Sequence, residues 1–165
     1  MLAAALVTAG CTNQSATLVC PDVGVINGLH SDVVYQGSSD DANNAVYAAE
    51  ITSVASDCDY DDGIMEVALE IAIAVRPGPQ AAGLGEPASI DYFVAVENNL
   101  GGLIGSDQFQ AAARLDDQGS TVVLIERLTQ QIAEADPFAA SRHRILVGFN
   151  ADPATGTSRW RAAQP

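Results

Sequence analysis

The sequence predicts an all-β chain folded as an antiparallel β-sandwich, and three observations carry that reading. From residue 64 to 76, Met65, Val67, Leu69, Ile71, Ile73 and Val75 alternate with Glu66, Ala68, Glu70, Ala72, Ala74 and Arg76. Period two is the signature of a strand with one buried face, whereas a helix would scatter those six apolar side chains around its circumference. Several further β-branched runs recur at short intervals, separated by Gly, Pro and Asx turns.

Taken in order, Val46 to Val54 forms a strand, and Asp57 to Gly63 supplies a turn into the long alternating strand, with Asp62-Gly63 as its favoured dipeptide. Residues 77–88, rich in Pro and Gly, read as a loop. A strand over 89–97 places Ile90, Tyr92, Val94 and Val96 on one face, and Asn98, Asn99, Gly101 and Gly102 then turn the chain into a hairpin partner starting at Leu103. Residues 120–128 and 143–150 give two more strands, with Asp136-Pro137 breaking any continuation between them. Asp107 to Leu115 and Leu128 to Ala135 hold helix formers, but their length and their strand-like neighbours favour strand ends. Six or seven short strands joined this way match the immunoglobulin- or fibronectin-like pattern, without giving the strand order.

At 165 residues the chain fits a single core with short flanking segments. Charge is lopsided: 21 acidic residues stand against 7 basic ones, every one Arg, and no cation precedes Arg76. That balance repels phosphate and excludes ordinary nucleic-acid binding. Arg142, Arg144, Arg159 and Arg161 near the end read as charge compensation.

Residues 2–9 are apolar and end in Gly10-Cys11, followed by Thr12, Asn13, Gln14 and Ser15. The run is too short to span a bilayer but has the length of a signal-peptide core. Val7, Thr8, Ala9, Gly10 and Cys11 resemble the cleavage motif of bacterial lipoprotein precursors, although Thr8 stands where Leu is commonest and no Lys or Arg precedes the run. The resemblance implies a lipid on Cys11, and Thr12 in place of an Asp implies sorting to the outer membrane, facing the periplasm. Together with YAAEITSV, CDY, YFVAV and HRILVGF, this motif makes the chain similar to a group of small, functionally uncharacterised envelope lipoproteins of Gram-negative, alphaproteobacterial type. The expected organisation is a signal peptide at 1–10, a lipid-anchored segment at 11–28, a β-sandwich domain at 29–152 and an irregular tail at 153–165.

Three cysteines are an awkward number for an exported protein, but lipidation of Cys11 leaves Cys20 and Cys58 to pair in an oxidising compartment. Asp57, Asp59, Asp61 and Asp62 before Gly63 form a candidate calcium site, since alternate carboxylates on a tight turn bind hard cations. An EF-hand does not fit: the glycine falls one position late and Ala68 occupies the place of the bidentate Glu. His30 and His143 are the only histidines, and no nucleophile elbow, zinc motif or phosphate loop accompanies them. The functional expectation is a non-enzymatic, cofactor-free binding or scaffolding module, tethered to the membrane and presented to an envelope protein or polymer. A calcium-stabilised adhesion domain and an envelope-facing enzyme using His30 or His143 are the alternatives.

Overall fold

The computed structural model describes residues 18–37, 41–84, 87–116 and 119–150. Its core is built around the alternating segment. Strand β4, Ile64–Pro77, turns Met65, Val67, Leu69, Ile71, Ile73 and Val75 inward, each almost wholly buried. Burial of such a side chain contributes about 1.5–3 kcal/mol, so this strand alone supplies a large share of the gross stabilisation. Its outward positions, Glu66, Ala68, Glu70 and Arg76 among them, face solvent.

Among the described residues, eight strands form two four-stranded sheets packed face to face. In one sheet, β2 (Ser31–Tyr35), β3 (Ala45–Asp61), β4 and β7 (Val122–Ala133) lie in that order, antiparallel throughout. In the other, the order is β1 (Asp22–Val25), β8 (Arg144–Phe149), β5 (Ala88–Glu97) and β6 (Leu103–Ala113). The predicted all-β sandwich is therefore the architecture, with one exception to antiparallel pairing: β1 runs parallel to β8. Both segments rich in helix formers are strand, as 107–113 belongs to β6 and 128–133 to β7. An α-turn, Pro137–Ala140, is started by the break at Asp136-Pro137, where the Asp136 side chain accepts the Phe138 N–H at 3.0 Å.

The turn expected over 57–63 is much tighter. Strand β3 continues to Asp61, and only Asp62 (φ 46°) and Gly63 (φ 80°) make the connection. Two consecutive left-handed residues are the requirement of a two-residue hairpin whose twist matches its strands, and Asp-Gly meets it at low cost. A bulge between Ile51 and Ser53 explains why the alternation in the sequence stops early. Before it Tyr47, Ala49 and Ile51 face the core; after it Val54, Cys58 and Tyr60 do, so the buried register changes from odd to even numbers.

Strand β1 lies inside the segment expected to be an anchor, upstream of the boundary placed at residue 29. Its Val23 and Val25 pack against the core, and Cys20, just ahead of it, is bonded to Cys58. The expected signal peptide at 1–10, Cys11 and the expected tail at 153–165 lie outside the described residues.

Register also places the ends of the molecule. Asp22 pairs with Arg144, Arg144 with Glu97, and Glu97 with Leu103, so these residues form one row across the second sheet. At the opposite end, Phe149 N donates to Leu29 O and Ile51 N donates to His30 O. Along β3 the path from Ile51 to Cys58 therefore runs toward the row of Asp22, and the Asp62-Gly63 turn lies at that same end.

Candidate functional site

The expected disulfide is present. Cys20 and Cys58 have Cα atoms 5.6 Å apart, inside the range that a bridge spans without moving backbone. Cys58 belongs to β3 and Cys20 leads into β1, so the bond ties one sheet to the first strand of the other.

The aspartates do not converge. Asp57, Asp59 and Asp61 occupy alternate positions of β3 and so repeat about every 7 Å along one exposed face, whereas calcium needs its oxygens within about 2.5 Å of one point. Their carboxylates turn to local backbone: Asp57 Oδ1 accepts from Cys58 N at 3.0 Å and Asp59 Oδ1 from Tyr60 N at 2.9 Å. Asp62 sits beyond them in the turn. No group of three or more His, Cys, Asp or Glu among the described residues is placed to hold a metal ion. Asp57, Asp59 and Asp61 of the expected calcium site thus lie on a strand with one solvated face, which also has the sequence D-x-D-x-D.

The two histidines are far apart. His143 precedes β8, while His30 follows Leu29, which is bonded to Phe149 at the other end of that strand; one strand length, about 20 Å, lies between. His143 is buried, and its Nδ1 lies 3.0 Å from Ala139 O and 3.1 Å from Ala140 O. Carbonyls only accept, so Nδ1 carries the proton and closes the end of the α-turn. His30 is exposed. The two do not share a site.

Two tyrosines have shifted acidity. Burial, reinforced by the charges of Asp32 and Asp91, raises the pKa of Tyr47, whose hydroxyl donates to Ser89 O. Burial also raises that of Tyr92, followed by the charge of Glu126 and the hydrogen bond to it at 3.4 Å. Both hydroxyls are locked neutral between the sheets, a structural arrangement.

The outer face of β3, β4 and β7 carries a shallow groove of about 520 Å³ with Ala55, Asp57, Ala68 and Thr129 along it and the exposed Glu70–Arg127 ion pair, 2.7 Å, at its side. Of the expected Arg group, Arg144 approaches Glu97 at 3.7 Å, and Arg159 and Arg161 lie outside the described residues.

The most distinctive surface centres on the turn at residues 98–102. Nine large apolar side chains are exposed among the described residues, and seven of them lie at the end marked by Asp22, Arg144 and Glu97. Leu100 (88% exposed), Leu103 and Ile104 form the tip of the β5–β6 hairpin. Ile64 follows the Asp62-Gly63 turn, Phe138 stands on the α-turn that leads into β8, and Leu18 and Val19 lie where the chain enters the fold. Comparison with protein-family models, with curated proteins and with solved structures returns no match.

Proposed function

We propose that the chain is a lipid-anchored protein of the bacterial cell envelope, held through Cys11, whose β-sandwich acts as a non-enzymatic binding or scaffolding module. The observation that carries this reading is the disulfide. With Cys20 bonded to Cys58, the remaining cysteine of the three is Cys11, and it stands directly after the small residues Ala9 and Gly10 that a lipoprotein signal peptidase accepts. A bonded pair also fits an oxidising compartment. The binding role draws on the ordered sandwich, its exposed loops and the edge strand β6, and on a net charge of −14 that disfavours nucleic acid as a partner. The outer membrane, facing the periplasm, is the proposed location.

Growth in the presence of a labelled fatty acid tests the anchor. Label should enter the wild-type chain and be lost in Cys11→Ala, which should also leave the membrane fraction. Equal labelling of both, or none in either, refutes the proposal. Alanine at His30 or His143 should leave function intact where folding is preserved; loss of function in a folded His30→Ala protein would favour an enzyme instead.

A further inference from the structure

We infer that the apolar end of the sandwich is a lipid-contacting face, with the β5–β6 hairpin tip dipping into the headgroup region of the bilayer that holds the anchor. This rests on the anchoring reading, and three independent features of the fold lead to it. The first is position. Leu18 enters the fold at this end, next to Cys20, and residues 12–18 can span at most about 25 Å when fully extended. A lipid on Cys11 therefore keeps this end, where the chain enters the fold, within about 25 Å of the membrane.

The second is chemistry. Residues 98–106, NNLGGLIGS, contain no charge, and they place Leu100, Leu103 and Ile104 in solvent at the farthest point of the hairpin. Exposed apolar residues gathered in one place mark a contact surface, whereas scattered ones need no explanation.

The third is the backbone of the tip. Entry into a poorly hydrated layer penalises unpaired N–H groups. Here Asn98 Oδ1 accepts from Leu100 N at 3.0 Å and from Gly102 N at 2.9 Å, Asn98 O accepts from Gly101 N, and Asn98 N donates to Gly102 O. The loop is thus hydrogen-bonded within itself and turns its apolar side chains outward. The surrounding carboxylates, including Asp22, Asp61, Asp62, Glu97 and Glu134, outnumber Arg142 and Arg144 at this end. That balance gives no attraction to anionic lipid, so the surface recognised is one of zwitterionic headgroups.

The test uses the full-length, membrane-purified chain with Trp160→Phe and Leu100→Trp, which makes the tip indole the only one, reconstituted in phosphatidylcholine vesicles with brominated acyl chains. A parallel protein carries Val123→Trp, at an exposed position of β7 away from this end. The proposal expects bromolipid to quench the Leu100→Trp indole and leave the Val123→Trp indole unquenched. It also expects Leu103→Asp with Ile104→Asp to abolish the quenching, and phosphatidylglycerol to weaken it. An unquenched tip, equal quenching at both positions, or an unquenched tip with concentration-dependent dimers by sedimentation would overturn it, the last in favour of a second copy on this surface. The intact mass of the same samples reads the anchor separately. A chain without lipid refutes the anchoring reading, and quenching measured with vesicles in excess still decides the docking.

Discussion

Removing the Cys20–Cys58 bond is the perturbation whose size follows most directly from the structure. The bond closes a loop of sequence separation 38, and in the chain-entropy account a loop of that length stabilises the fold by about 4 kcal/mol. The loss should be felt unevenly. Strand β1 has four residues, sits at a sheet edge and pairs on one side only, with β8. Without the bridge, Val23 and Val25 must hold the incoming chain against the core by their own partial burial. The Cys20→Ala/Cys58→Ala protein should therefore unfold at a midpoint lower by roughly 10–15 °C, with amide exchange accelerated first across 22–25. Urea unfolding with and without reductant measures the same quantity in the wild-type chain. A difference below about 1 kcal/mol between oxidised and reduced protein would refute the reasoning, since it would mean that β1 docks equally well untied.

Three further outcomes are expected. Ile71→Ala empties a fully buried position at the centre of β4 and should cost roughly 2–5 kcal/mol in urea unfolding, whereas Val123→Ala on the exposed face should stay within about 0.5 kcal/mol. Gly63→Val forces a β-branched residue to φ 80° and should cost about 1–2 kcal/mol by the same measurement, with no change in the core. Tyr47 and Tyr92 are held neutral by burial, so their pKa values in the fold lie above the unfolded value near 10. Their contribution is complete below that pH and is lost as pH rises through the folded values, so stability should fall above about pH 10, and Tyr47→Phe with Tyr92→Phe should flatten that fall.

The legible parts of this fold are those where one rule acts without interruption. In β4 the buried and exposed residues alternate from Met65 to Val75, and its identity as a core strand follows at once. Strand β3 obeys the same rule in two halves that the bulge at Thr52 puts out of phase, which is why the sequence pattern stops near Val54 and the D-x-D-x-D segment resembles a metal loop. Strand β1 is too short, and too broken by Gly24, to show a period. Its pairing with β8 joins distant parts of the chain, and nothing local announces it. The disulfide was readable because the expectation rests on cysteine count and an expected oxidising compartment, not on geometry. The hairpin tip was readable as a turn from its Asn and Gly residues, but the exposure of Leu100, Leu103 and Ile104 depends on how far the tip stands out from the facing sheet. Alternation does not carry that information.

Attachment through Cys11 is read most directly from the intact mass of the chain purified from membranes. The expected product begins at Cys11, lacks residues 1–10 and carries a diacylglyceryl and acyl mass on that residue, with Cys20 and Cys58 still bonded. A mass showing Cys11 still preceded by Gly10 and free of lipid would contradict it.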